Sequence, residues 1–407
     1  MDFESLSFLN VLQIVFAVLL GLATLYIFVF AFFGLFYKQK KRSKAIKHRK
    51  MAVLIPGYKE DSIIEDVARE ALKQDYPNEA FDVVIIADSF QPETLEKLRK
   101  LPIKLIVVSF DVSTKSKALN KAMEQLTDDY EVAVILDADN VMEPAFLTKI
   151  NEAFKSSFIA VQGHRTAKNM NTSLAILDAV SEEINNHIFR KGHRVLGLSS
   201  AIIGSGMAFD YHFFKILMLN IKAIGGFDKE IELKLLHDGY KIEYLHDAVV
   251  FDEKVQKAEV FSNQRRRWLS AQLHYFRQDI FKATKALLLK GNIDYFDKAI
   301  QFIQPPRILL LGAVILFGML FISVNLLISN HPVYWMIWAG IMVACMLAFL
   351  FSIPRTFYNV ETLKAMAGIP KGMLLMFGSL MKIKGANKKF IHTQHGVLNP
   401  NNKNKDI

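Results

Sequence analysis

From Ser5 to Tyr37 the chain carries no charged side chain, and from Ile308 to Pro354 none but the usually neutral His331. About 20 apolar residues cross a bilayer as one helix, so the first stretch holds one span and the second holds two. The turn between those two falls at His331-Pro332, because proline lacks an amide donor and turns the preceding residue away from the helical region. A hydrophobic content of 52% against 22% charged residues agrees with three spans. A cleaved signal peptide is the other reading of the first run, but acidic Asp2 and Glu4 lead it, the run is long, and no small-residue cleavage site follows.

Lys38 to Lys50, KQKKRSKAIKHRK, is densely basic and belongs on the cytoplasmic side of a membrane. The expected topology therefore has the N-terminus outside, the large middle segment in the cytoplasm, the Asn330 to Pro332 turn outside and the tail from Arg355 back in the cytoplasm. The formal charge of +10 lies mostly beside these spans. That placement suits anionic lipid head groups and not nucleic acid, for which no fold motif is present. The single Cys345 falls in a span, so no intramolecular disulfide forms and the redox compartment is unconstrained.

The 407 residues divide as follows. A span occupies 1–37, a basic linker 38–50, a soluble α/β domain 51–285, an interfacial connector 286–307, two spans 308–354 and a tail 355–407. Within the domain, MAVLIPGY, FDVVIIADS, IKLIVVSF and EVAVILDAD are nearly continuous apolar runs that end in polar residues, as strands buried on both faces do. Helical spacing between them, over Asp61 to Gln74, Gln91 to Lys100 and Lys115 to Leu126, predicts a doubly wound, mainly parallel sheet. Further on, a helix from Asp228 to Asp238 and a strand over IEYLHDAVVFDE are expected. QRRRWLSAQLHYF and the tail segment MLLMFGSLMKI read as amphipathic helices lying in the membrane interface.

Ligands of such sheets bind beyond the carboxyl ends of the strands, where Pro56, Tyr58, Glu60, Asp88, Asp137 and Asp139 collect. No GxGxxG follows a strand and no GxxxxGK[ST] occurs, so a phosphate-bearing ligand would need a cation. Asp137 and Asp139, two residues apart at a strand end, can bind one that holds a diphosphate; a solvated turn is the ordinary reading of two such acids. Asp88 suits a ribose or base, or simply the start of a helix. Lys117 would offset phosphate charge, or be solvated. The Gly204 to Gly206 GSG permits close backbone approach, or a tight turn. Glu230 and Glu232 suit a helix start electrostatically, and a carboxylate here also suits a general base. In QRRRW, the amide of Gln264, the guanidinium of Arg267 and the indole of Trp268 offer hydrogen bonding, phosphate neutralisation and a stacking face together. A basic membrane patch explains Arg265 and Arg266 better than those three.

IPGYKE, ADS, KSKALN, DADN, VQG, GSG, the helix near Glu230 and QxxRW, in that order from about 51 to 268, resemble the membrane-embedded family 2 glycosyltransferases, the group of cellulose, chitin, hyaluronan and poly-N-acetylglucosamine synthases. The resemblance implies a GT-A fold, a UDP-linked donor, inversion at the anomeric carbon and Mg2+ or Mn2+. It implies that Pro56, Tyr58, Glu60 and Asp88 hold the nucleoside, Lys117 and Asp137 the diphosphate region and Asp139 the metal. Gln162, Gly163, Gly204, Ser205 and Gly206 would border the acceptor, while Gln264, Arg267 and Trp268 close over the diphosphate and the nearest sugar.

Two departures stand out. Where the family shows TED with its Asp as base, this chain reads Asp228-Lys229-Glu230, which aligns Glu230 with the base and leaves Asp228 in reserve. Three spans are also few for a polymer channel, so polymer export would call for a second copy or an export partner. The acceptor is then a growing polysaccharide or a lipid-linked glycan. Transfer to polyprenyl phosphate and a non-catalytic nucleotide-binding subunit are the other readings.

Overall fold

In the computed structural model, which describes residues 3–40, 42–43, 47–155, 158–223, 225–329 and 332–383, the four apolar runs become adjacent strands of one sheet. Its strands are β1 (Met51–Tyr58), β2 (Phe81–Asp88), β3 (Lys104–Val108), β4 (Val132–Ile135), β5 (Val141–Met142), β6 (Ala160–Ala167), β7 (Met207–Asp210) and β8 (Ile242–Asp252). They lie in the order β3-β2-β1-β4-β7-β6-β8-β5. β1, β2, β3 and β4 pair in parallel, as do β6 and β8, whereas β7 is antiparallel to both neighbours and β5 to β8.

Alternation along each strand sends its apolar residues to two cores. Leu54, Val84 and Ile135 face one core, with Leu119 of the helix Lys115–Gln125 and Ile231 and Leu235 of the helix Phe227–His237. Val53, Ile55, Ile85 and Val134 face the other, with Val67 of Ile64–Ala71 and Leu147 of Phe146–Ala153. Covering both faces is what lets these strands be apolar throughout. β6 and β7 escape detection by that criterion because they are short or carry polar residues.

The QRRRW segment belongs to a helix longer than its local amphipathic pattern indicates. It runs unbroken over Ala258–Lys290 and ends at Gly291, whose left-handed backbone (φ 63°) suits glycine. The division at 285/286 therefore falls inside a helix. The connector after it contains the helix Ile293–Ile303, whose Tyr295, Ala299 and Phe302 join the first core.

Among the described residues, three helices are long and apolar enough to cross a membrane: Phe8–Gly34, Arg307–Ile328 and Pro332–Ser352. Asn330 and His331, at the expected turn, lie outside the described residues, as does the tail after Ile383. The first of these helices packs on the third, with Phe28 beside Phe351, and Ile27, Phe30 and Ala31 share a cluster with Ile184, Ile188, Leu310 and Cys345. The tail segment forms the helix Ile369–Met381, tucked under the long helix where Ser379 Oγ donates to Ser262 O at 3.2 Å.

Candidate active site

β1, β2 and β4 are parallel, so their carboxyl ends meet at one edge, with Tyr58 in register with Asp88. Just beyond them sit Lys59 (φ 55°) and Ser89 (φ 60°), the two non-glycine residues with left-handed backbone among those described. Such backbone costs energy and clusters at functional edges. A cavity of about 250 Å³ opens here, lined by Pro56, Tyr58, Glu60, Asp88, Asp137 and Asp139. The long helix closes it with Gln264, Arg267 and Trp268. Nine of the residues singled out in the sequence are thus brought together although 212 positions separate Pro56 from Trp268.

Lys117 is not among them. Its side chain is exposed and donates to Val112 O at 2.8 Å, outside the cavity. Lys115 points in instead, pairing with Asp137 and donating to Gly204 O at 2.7 Å. Thr114 caps this helix by accepting from Lys117 N at 3.2 Å, which fixes its phase, and residues two apart on a helix face opposite ways. KSK alone does not say which lysine turns inward.

The same phase argument separates the acids of the helix Phe227–His237. Asp228 and Glu232, one turn apart, line a second cavity of about 460 Å³, while Glu230 lines neither cavity and pairs with Lys234 at 3.3 Å. Asp228 packs on the GSG loop, where a Cβ added to Gly204 would lie 3.6 Å from its own Cβ. Gly204 has φ 81°, in glycine's region.

Of the residues expected to border an acceptor, Gly204 lines the second cavity; Gln162, Gly163, Ser205 and Gly206 line neither. Their contacts hold the loop. The buried Gln162 amide donates to Ser205 O at 2.9 Å and accepts from Ile203 N at 3.1 Å. Ser205 Oγ donates to Asn140 and accepts from Asp137 N at 3.0 Å, so the GSG loop braces the DADN turn.

The sequence reading missed Asp252. It ends β8 at the same edge, and its carboxylate oxygens lie with those of Asp137 and Asp139 within 4.8 Å of one another. Three carboxylates so grouped suit a hard divalent cation. The VVFDE strand ending carried a signal, but only the β6–β8 pairing brings it to Asp139. Also missed were Arg165, Glu182 and Lys254, buried beneath the acids, with Arg165 to Glu182 at 3.0 Å and Lys254 to Asp252 at 2.8 Å. Burial opposes ionisation of Glu182, yet Arg165, Lys254 and Arg190 hold its carboxyl far below the usual range. For Arg165 burial also opposes the charge, but Asp252, Glu182 and Asp137 keep it firmly protonated. The floor is thus a fixed lattice of charge, the kind of preorganised surface on which an anion is met without rearrangement. Burial lowers the proton affinity of Arg267 above it.

Fold and site define a family 2 glycosyltransferase domain: residues 48–271 match the family described as "Glycosyltransferase like family 2", and the chain belongs to it. The sheet is that of a GT-A fold, mostly parallel and curled. Beta-monoglucosyldiacylglycerol synthase of Trichormus variabilis is 26% identical over 232 residues, covering 54% of this chain and 48% of that one. The probable glycosyltransferase YdaM of Bacillus subtilis is 22% identical over 235 residues, covering 54% of each. The chain spans about half the length of the curated relatives it matches. Among solved structures, the mannosyltransferase PcManGT from Pyrobaculum calidifontis, in complex with GDP-Man and Mn2+, is alike in fold with a TM-score of 0.51 at 18% identity, covering 84% of this chain and 99% of that one.

Proposed function

We propose that the protein is an inverting glycosyltransferase that moves a sugar from a UDP-linked donor to a hydroxyl of a lipid-linked or growing glycan at the cytoplasmic face of a membrane. One observation carries this reading. Lys115, Asp137, Arg267 and Trp268 line both cavities, so a donor over the strand ends would present its anomeric carbon to an acceptor in the second. That second cavity is also walled by Ile27, Ile308 and Met376, from the first span, the second span and the short apolar helix. A relative named for making a glucosyl lipid supports a lipid acceptor.

In this mechanism the acceptor hydroxyl gives its proton to Asp228, the carboxylate on the cavity face of its helix. The new carbon–oxygen bond forms opposite the diphosphate as the bond from the anomeric carbon to the β-phosphate oxygen breaks. UDP departs with its charge met by Lys115 and Arg267, where fixed cations help most. Asp137, Asp139 and Asp252 would hold Mg2+ or Mn2+, whose charge offsets that of the diphosphate. Gln264 closes over the same region, its buried Oε1 lacking a hydrogen-bond partner among the described residues. The basic segment from Lys38 supports a cytoplasmic domain and an external N-terminus.

Membranes containing the protein, given a panel of UDP-sugars with Mg2+ or Mn2+, are expected to release UDP. Asp139→Asn and Asp252→Asn should each cut release at least tenfold. A ladder of high mass would mark polymer synthesis, and one lipid-soluble product a single addition. Release unaffected by either substitution would refute the assignment of the site.

A further inference from the structure

The second cavity is strongly asymmetric in charge: eight basic side chains line it against four acidic ones. All four acids are already engaged. Glu182 is met by Arg165 at 3.0 Å, Glu232 by Lys298 at 2.7 Å, Asp228 by Lys229 at 3.4 Å, and Asp137 by Lys115. Arg265 has its own partner, Asp178, which lines the first cavity.

Arg307 differs from the other cations. Its guanidinium donates to Asn185 Oδ1, and to Ser181 O at 3.2 Å and Ser181 Oγ at 3.1 Å, and lies 5.7 Å from the Phe189 ring centre. All of these partners are neutral. Among the described residues no carboxylate lies within ion-pair range of it; its charged neighbours are Arg265, Arg190 and Glu182, the last already bound to Arg165. A guanidinium has five N–H donors, and these contacts use at most three, so orientation is fixed while charge and donors remain.

Arg307 is also the first residue of the second candidate span, and Ile308 and Met376 beside it make that end of the cavity apolar. A span boundary lies at the depth of lipid head groups. An arginine serving only to anchor the span would extend its charge to water, whereas this one turns inward to Ser181 and Asn185.

We infer that the membrane end of the second cavity binds the phosphate ester of an amphiphilic acceptor, with Arg307 as its anchoring cation. The inference rests on the transferase reading and specifies what that same site accepts. The phosphate is an anchor, and the reacting hydroxyl lies further in, towards Asp228. A basic cavity with one apolar end selects an anionic lipid-linked acceptor over a neutral glycan.

The full-length protein in phosphatidylcholine nanodiscs, titrated with dodecyl phosphate and separately with inorganic phosphate, tests this by calorimetry. Wild type and Arg307→Lys should bind dodecyl phosphate, and Arg307→Gln at least tenfold more weakly. Should Arg307→Gln fail to fold, Asn185→Leu, which frees the guanidinium, is expected to weaken binding several-fold. Equal binding by wild type and these variants overturns the subsite. Inorganic phosphate bound as tightly as dodecyl phosphate overturns the lipid source and leaves a soluble phosphate ester. UDP binding with Mn2+ by the wild type is measured alongside. Its absence would sink the transferase reading, whereas UDP binding without an Arg307-dependent response sinks this inference alone.

Discussion

Asp228 and Glu232 stand one turn apart on the cavity side of their helix, and Glu230, two residues from each, lies on the other. If proton transfer from the acceptor limits turnover, Asp228→Asn should lower kcat by about 10²- to 10⁴-fold while UDP still binds. Glu230→Gln, which loses only its pair with Lys234, should stay within a few-fold of wild type in the same UDP-release assay. The reverse result would return the base to Glu230. Residue-level placement was the least legible part of the sequence, for the same reason at Lys115 and Lys117 as at Asp228 and Glu230. Composition shows which groups are present, but helical phase, set by a cap such as Thr114, decides which one faces the cavity.

His246, on β8, carries a stability effect of known sign. Burial, with Lys191 and His164 nearby, pushes its pKa down from 6.5 to about 3, against the opposing pull of Glu183 and Asp247. Its ring stacks on His164 at 4.6 Å, and Lys191 donates to its Nε2 at 3.2 Å, which requires that nitrogen unprotonated. The folded state therefore holds it neutral. That stabilisation is complete above pH 6.5 and is lost as pH falls towards 3, at about 1 kcal/mol per pH unit. The melting temperature should fall between pH 6.5 and 5, and His246→Gln should flatten the fall, leaving a residual slope from His187, whose pKa burial also lowers. An unchanged slope in the variant would assign the effect to other groups.

At the scale of elements, the first apolar helix reaches the family 2 domain through a backbone contact that only glycine allows. His187–Gly192 is wound as a π-helix against it, and a Cβ at Gly192 would come within 2.1 Å of Phe30 O. Gly192→Ala must push the two helices apart, at a cost of about 1–3 kcal/mol. Thermal unfolding of the detergent-solubilised protein should show a melting temperature lowered by several degrees, whereas Gly340→Ala, at a helical glycine without positive φ and with nothing within 4 Å of its Cβ, should lose little or nothing. Equal losses would mean that close approach at Gly192 is not what holds the span. Central strands and their helices were legible because period and apolarity are local. The contact at Gly192, and β7 lying antiparallel between β4 and β6, were not, because each depends on a partner far along the chain.

On the scale of the whole molecule, the second cavity exists only because Ile27, Asn185, Asp228, Arg307 and Met376 converge from five separate segments. Helices long and apolar enough to cross a membrane can be read from uncharged runs, but a chamber shared between an α/β domain and such helices has no local signature. Under the proposed function, its position ties catalysis to topology: donor cavity and acceptor mouth would both have to lie on the side of the membrane that supplies UDP-sugar. The basic run at Lys38 to Lys50 supports the proposal that this side is the cytoplasm. With a single native cysteine, Cys345, buried between spans, the orientation is open to labelling. In a Cys345→Ser background, Lys100→Cys on the exposed surface of the domain should react with an impermeant maleimide only after the cells are permeabilised. Val333→Cys, exposed at the start of the third span, should react in intact cells. Labelling of Lys100→Cys from outside would reverse the orientation and with it the supply of donor, since a nucleotide sugar made in the cytoplasm could not reach Asp139 without a transporter.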